Sequence, residues 1–264
     1  MKHRILISAS DQASGLHLLK SLQVLLNDTH SKHLTGIPLW KYLEKKAQLV
    51  VSGESNSTLK SDMIKRLEME VFMEEQSAHF GYEFNLFKGR FDDQMIHALS
   101  TVADLLVVDR ASLNDFCEGE TISELLDKVA CPILILPSSV DLTGLIMLHD
   151  GTVNSVQTIK SFLGLFNKSL RDLPLSILVE DPENTVDIDK EKVLIDYLKM
   201  FFTDIGVQLM DDDPGNCYVR LIETDIERPL ILAGGQLGES VLNCNKLHKF
   251  VTDKAPCFIF RGNQ

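Results

Sequence analysis

Two stretches of the sequence decide the fold: ADLLVVDR (103–110) with ACPILIL (130–136), and RPLILAGG (228–235) with APCFIF (255–260). In each stretch an apolar run leads into a loop and an amphipathic segment, and a second apolar run begins at a proline. Pro132 and Pro256 are 124 residues apart, and Leu105 and Leu230 are 125 apart. A constant offset of this kind indicates that the chain contains one structural unit twice.

The repeat extends towards the start of each half. Amphipathic helices are predicted over 55–81 and 189–206, and each prediction ends at a glycine, Gly81 or Gly206. Further upstream, a strand and helix over 4–26 match a strand and helix over 144–166, with an offset of about 140 residues. The larger offset predicts an insertion in the first copy, near residues 30–46, the segment that contains Trp40.

Each half therefore alternates short apolar strands with amphipathic helices. Strands that are apolar throughout are typical of parallel sheets covered by helices on both faces. The predicted fold class is α/β, with two tandem Rossmann-like domains, each a five-stranded parallel sheet with helices on both faces. The predicted domains are residues 1–140 and 141–264.

Composition and charge exclude several classes of protein. The formal net charge is −12, so the chain lacks the basic surface that nucleic acids or anionic membranes would require. No run approaches the roughly 18 apolar residues of a membrane span, and the expected location is cytoplasmic. The five cysteines form no C-x-x-C pair, and no metal site is predicted.

No motif of an enzyme is present. The sequence contains no GxSxG, HExxH or GxxxxGK[ST] pattern. We therefore predict no catalytic residues and no enzymatic activity.

The ordered set of motifs resembles the universal stress protein family. The segment LIMLHDGTVNSV (145–156) is similar to the family's valine-aspartate-glycine-serine opening, and ACPILIL and APCFIF are similar to its APCPVLVV ending. The runs at 103–110 and 228–235 stand where the family has ADLIVMGSRG. The resemblance implies a tandem member with the adenine nucleotide alpha hydrolase-like fold. It also implies that the halves meet through their last strands, as a pseudo-dimer within one chain.

The resemblance implies an adenine-nucleotide site (AMP, ADP or ATP) in the second half. There Asp150 stands in place of the family's strand-end aspartate, and Val179 stands at the adenine-pocket position. Glycine-rich turns let a backbone approach phosphate. The candidate cofactor-binding residues are Asp150, Gly151, Thr152, Val179, Gly234, Gly235 and Gly238. The loop after Gly238 is shorter than in the family, and Asn243 and Cys244 replace its last glycine and its Ser/Thr.

The first half departs further from the family pattern. Ser10 stands at the aspartate position, Asp109 at the first glycine, and Glu120 after Gly119 at the Ser/Thr position. Since two added carboxylates repel phosphate, we expect no nucleotide in the first half.

Simpler interpretations stay open for each of these residues. Asp150 would serve equally as a helix cap, and the glycines as an ordinary turn. His149 and the acidic run 211–213 are more typical of a strand end and a solvated turn than of a catalytic or metal site. The predicted function is a non-catalytic stress-response or regulatory protein with a reduced nucleotide site. The alternative is a purely structural or protein-interaction module. The protein partner and any homodimerisation are not given by the sequence.

Overall fold

A computed structural model describes residues 2–27, 31–39, 58–110, 125–180, 188–210, 226–235, 237–238 and 255–261. The described strands are β1 (Lys2–Ser8), β2 (Ser31–Gly36), β3 (Glu83–Leu86), β4 (Leu105–Asp109), β5 (Ile133–Leu136), β6 (Gly144–His149), β7 (Leu175–Glu180), β8 (Ile205–Met210), β9 (Pro229–Gly234) and β10 (Cys257–Phe260). The α-helices are α1 (Gln12–Leu25), α2 (Thr58–His79), α3 (Asp93–Thr101), α4 (Val153–Leu165) and α5 (Ile188–Leu198). A 3-10 helix spans Lys168–Asp172, and residues 125–128 form a helical turn.

The strands form one continuous sheet in the order β3-β2-β1-β4-β5-β10-β9-β6-β7-β8. Strands β1 to β5 are parallel to one another, as are β6 to β10, and the two sets have the same internal order. The sets meet where β5 and β10 pair antiparallel, with Leu134 opposite Phe258. The predicted fold class is confirmed, and the halves join through their last strands.

Strand register shows where the two halves differ in length. Ile5 lies opposite Leu34 in the first half, and Leu145 lies opposite Leu175 in the second, so the first connections differ by one residue. Ser31–Gly36 form a regular strand paired with β1, and the insertion near residues 30–46 stays a prediction. Residues 40–46 of that prediction lie outside the described residues. The domain boundary near residue 140 stays a prediction.

One predicted helix is shorter than expected. Helix α5 ends at Leu198, where the N–H groups of Phe201 and Phe202 both close turns on the Leu198 carbonyl, at 2.9 and 3.0 Å. Gly206, predicted to end this helix, lies in β8 opposite Ser176. Gly81 does follow α2, with a φ of +74° that suits glycine.

Apolar side chains pack on both faces of the sheet. One layer, beneath α1 and α4, includes Leu18, Leu22, Ile159, Phe162 and Phe258. The other includes Ile96 of α3 and Leu125 and Leu126 of the helical turn. The ends of α1 and α4 also meet, because Leu26 bridges Phe166 and the Asn27 and Asn167 N–H groups donate to the Leu165 and Leu25 carbonyls, at 3.0 and 2.7 Å. Each half therefore donates one backbone hydrogen bond to the other at this contact.

None of the helices in the described part of the chain combines the length and the apolar character that crossing a membrane demands.

Candidate functional site

The candidate site lies at the carboxyl ends of β6 and β9. These strands are adjacent and parallel, with Leu148 opposite Ala233. From β6 the chain continues through α4 to β7 on one side, whereas β9 pairs with β10 on the other. In open α/β sheets, ligands bind in the crevice where neighbouring connections diverge in this way. The topology therefore points to residues 149–155, 233–235 and 237–238.

Asp150 organises the first turn of α4. Its Oδ1 accepts hydrogen bonds from the Thr152 N–H at 3.0 Å and from the Thr152 and Ser155 hydroxyls, both at 2.6 Å. Thr152 is the N-cap residue and its own side chain makes no cap bond; Asp150 instead fixes Thr152 and the Ser155 side chain at the start of the helix. All three bonds use Oδ1. Oδ2 accepts no hydrogen bond from the described residues and lies towards Gly235.

The three glycines of the β9 turn are required for different reasons. A Cβ on Gly234 would lie 2.6 Å from Ser155 Cα and 2.7 Å from Ser155 N, so β9 packs directly on the backbone of α4. Gly235 has a φ of +56°, and its Cβ would lie 3.5 Å from Asn154 Nδ2 and 3.8 Å from Asp150 Oδ2. A Cβ on Gly238 would instead meet Ile259 Cγ2 at 2.5 Å, which is packing against β10.

The structure places most of the predicted residues around the start of α4, and the other two have different surroundings. Asp150, Gly151, Thr152, Gly234 and Gly235 lie around the start of α4. Val179 lies opposite His149 in the sheet and is 2% exposed, within the core layer beneath α4. Gly238 packs on β10. The Val179 side chain is therefore part of the core, and Gly238 serves the packing against β10.

Sequence reasoning missed Asn154. This residue lies in the first turn of α4, is partly exposed, and places its side-chain amide beside the Gly235 turn. The amide forms no hydrogen bond with the described residues. An asparagine inside a helix belongs to no motif. The sequence could have indicated Asn154 only through the repeat, because it stands 140 residues after Ser14, another polar residue at the start of a helix.

The corresponding place in the first half carries two buried charged residues. The pairing of Ile5 with Leu105, and of Leu145 with Leu230, makes Asp109 and Arg110 the counterparts of Gly234 and Gly235. Asp109 is 5% exposed and accepts a hydrogen bond from the Ser14 hydroxyl at 2.9 Å. Arg110 is 3% exposed. Ser10 stands at the place of Asp150, while Gly119 and Glu120 lie outside the described residues.

The described cysteines are not reactive groups. Burial raises the pKa of both Cys131 and Cys257 to about 12, so their thiols carry a proton at neutral pH. Within the described ranges, no cluster of three His, Cys, Asp or Glu side chains could hold a metal ion. The run 211–213 lies outside those ranges.

Comparisons with known proteins define the class of fold. No protein-family model matches the sequence, and no curated protein matches it. Among solved structures, a universal stress protein from Archaeoglobus fulgidus DSM 4304 superposes with a TM-score of 0.60 at 12% identity, covering 98% of each chain. The cytoplasmic domain of a prokaryotic cation chloride cotransporter superposes with a TM-score of 0.51 at 12% identity, covering 100% of this chain and 98% of its own.

These matches extend over the whole sheet, so the chain has a Rossmann-like α/β fold that occurs in at least two kinds of protein. More particularly, the resemblance to universal stress proteins is confirmed at the level of the fold.

Proposed function

We propose that this chain is a non-catalytic universal stress protein that binds one adenine nucleotide, AMP, ADP or ATP, in its second half. The observation that carries the proposal is the convergence of Asp150 Oδ2, the Asn154 amide and the Gly235 turn at one crevice of the sheet. The first half has a buried carboxylate at the corresponding place. The protein would change its interaction with a partner according to the nucleotide bound, as a regulatory component of a stress response in the cytoplasm.

The physical chemistry of the crevice favours a nucleoside bearing few phosphates. The carboxylate of Asp150 attracts hydroxyl donors and repels phosphate oxygens. Backbone N–H groups at the start of α4 and at the Gly235 turn attract a phosphate placed further out. The carboxylate therefore suits the sugar end of a nucleotide, and the backbone N–H groups suit its phosphate end. We therefore expect AMP and ADP to bind about as well as ATP, with no turnover of ATP above background.

A second candidate function is a protein-interaction module that binds no nucleotide. Two observations favour it. Asp150 already has a structural task, because it holds Thr152 and Ser155 at the start of α4, and the same fold occurs in the cytoplasmic domain of a cotransporter. On this alternative, the glycines serve the close packing of β9 on α4.

Calorimetry on a matched pair of glycine variants distinguishes the two functions. Gly235→Ala and Gly81→Ala both place an L residue at positive φ, +56° and +74°, and each costs about 1 kcal/mol of stability. At Gly235 the added methyl also enters the space between Asn154 and Asp150, whereas at Gly81 it meets nothing within 4 Å. We expect Gly235→Ala to weaken AMP binding by about tenfold, which is 1.4 kcal/mol, and Gly81→Ala to leave it unchanged.

Two results would contradict the proposal. If the wild-type chain binds none of AMP, ADP and ATP at millimolar concentration, the interaction module replaces it. If AMP binds and both variants retain wild-type affinity, the nucleotide lies elsewhere and the assigned crevice is wrong.

A further inference from the structure

We infer that Asn154 determines the sugar specificity of the crevice. Its amide and Asp150 Oδ2 together bind the hydroxyls of a ribose, so the ligand is a ribonucleoside phosphate rather than its deoxy counterpart. The inference rests on the proposed nucleotide site and assigns a role to a residue that no family motif contains.

The first step concerns the hydrogen-bonding capacity of Asp150. Its Oδ1 accepts three hydrogen bonds from Thr152 and Ser155, which fix the carboxylate plane against the first turn of α4. Oδ2 is the oxygen that faces the Gly235 turn. A carboxylate oxygen accepts and does not donate when ionised. This oxygen therefore offers a ligand one fixed acceptor.

The second step concerns the position of Asn154. Its backbone carbonyl carbon would lie 2.8 Å from a Cβ on Gly234, so the close packing of β9 on α4 holds the residue in place. Its Nδ2 lies 3.5 Å from the point where a Cβ of Gly235 would be, and Asp150 Oδ2 lies 3.8 Å from the same point. The amide and the carboxylate oxygen thus border one small space. The Asp150 carboxylate is held by three hydrogen bonds and the Asn154 backbone by packing before any ligand arrives, which reduces the entropy lost on binding.

The third step is the chemistry that this pair recognises. An amide both donates and accepts hydrogen bonds, and a carboxylate oxygen accepts them. Two neighbouring hydroxyls satisfy such a pair, since one donates to Asp150 and the other exchanges a hydrogen bond with Asn154. A phosphate in this space would face the charge of Asp150. The two hydroxyls of a ribose provide the matching arrangement.

The first half provides an internal comparison. Ser14 is the counterpart of Asn154, and its hydroxyl donates to the buried carboxylate of Asp109. The counterpart of Asp109 in the second half is Gly234, which has no side chain to accept such a bond. The polar group on the first turn of the helix is thus used internally in the first half, whereas in the second half it faces the crevice.

Calorimetry with AMP, 2′-deoxy-AMP and 3′-deoxy-AMP on the full chain tests the role of Asn154. We expect the wild type to bind AMP about fivefold more tightly than at least one deoxy analogue, the ratio expected from one hydrogen bond. Asn154→Ala should bring AMP to the affinity of that analogue and leave the analogue's own affinity unchanged. Gln157→Ala is the matched control, because it removes an exposed amide from α4 one turn further along, and it should keep the fivefold ratio.

The outcomes separate this inference from the proposed function. If AMP binds but the wild type does not discriminate against either analogue, or if Asn154→Ala retains the full ratio, Asn154 does not select the sugar and the nucleotide site still stands. If the wild type binds no nucleotide, both are wrong. Alanine favours a helix more than asparagine does, and Asn154→Ser, which installs the first half's residue, gives an independent variant should Asn154→Ala not fold.

Discussion

Gly234 is required by a backbone contact, which gives a prediction at the scale of one residue. In Gly234→Ala the methyl would lie within 2.8 Å of three backbone atoms of α4, and no side-chain rotation relieves that overlap. Strand β9 and α4 must move apart, and overpacking of this kind costs about 1–3 kcal/mol of unfolding free energy. Urea denaturation followed by circular dichroism measures the loss.

A second glycine supplies the control for that experiment. Gly164 is exposed near the end of α4, and a Cβ there would meet nothing within 4 Å. Because alanine favours helices, Gly164→Ala should raise the unfolding free energy, by up to about 1 kcal/mol. Equal stability of the Gly234→Ala variant and the wild type would show that β9 does not pack tightly on α4.

The same residues show how far the sequence predicts the site. Asp150, Gly234 and Gly235 follow apolar runs, and the carboxyl ends of parallel strands meet at one edge, so their proximity follows from the pattern. The burial of Val179 and the packing of Gly238 on Ile259 depend on contacts between elements that are far apart in the chain. The residues near each position in the sequence do not reveal such contacts. Asn154 becomes a candidate through its three-dimensional distance to Gly235.

Among the secondary-structure elements, α1 and α4 make the contact that ties the halves together on one face. Phe166 follows α4 and is 1% exposed, with its ring 4.7 Å from that of Phe162 and 5.1 Å from that of Phe258 in β10. Its backbone bridges Leu26 of the other half. Phe166→Ala should therefore lower the unfolding free energy by about 3–5 kcal/mol, as expected for a large buried ring.

Phe201→Ala is the matched control for that variant. The Phe201 ring is partly buried and packs on Tyr197 at 5.2 Å, near the end of α5 and away from the contact between the halves. Its loss should cost clearly less, and both variants should unfold in one transition seen by calorimetry. If Phe166→Ala costs no more unfolding free energy than Phe201→Ala, the α1–α4 contact does not tie the halves together.

Strand β2 shows why sequence patterns miss some elements. The strongly apolar strands β4, β5, β6, β9 and β10 are all evident from the sequence, whereas SKHLTG in β2 carries a lysine at a buried position. Lys32 is 5% exposed, and its Nζ lies 5.3 Å from the centre of the Tyr82 ring. A lysine can bury its aliphatic stem in this way, but a hydrophobicity pattern scores it as polar. The alternation of buried and exposed residues in β2 therefore cannot be recognised from the sequence.

At the scale of the whole molecule, the sheet crosses the predicted domain boundary without interruption. Strands β5 and β10 pair antiparallel through apolar, buried residues. Leu134 and Phe258 are both 0% exposed. The core layer beneath α1 and α4 likewise contains side chains from both halves. Covalent connection through residues 137–143 is thus one of several links between the halves, and the others should be sufficient for association.

This leads to a prediction for the chain divided at residue 140. Residues 1–140 with an affinity tag and untagged residues 141–264, produced together, should purify as a 1:1 complex, because either half alone would expose its last strand and one side of the core. Mass measured by light scattering during gel filtration gives the stoichiometry. Phe258→Asp in the second half should abolish association, since it would bury an unpaired charge at the centre of the junction, whereas Val193→Asp on the exposed surface of α5 should not.

The division also tests the direction of pairing between the halves. A homodimer of either half would place two equivalent last strands together, and in the second half Phe258 would then face Phe258 instead of Leu134. Two phenylalanines need more volume than the phenylalanine–leucine pair that the junction contains, and overpacking disfavours them. Mixed halves should therefore prefer the heterodimer even where homodimers form. Recovery of tagged 1–140 without its partner, as a stable monomer, would show that the boundary near residue 140 separates two domains that fold alone and that the junction adds little.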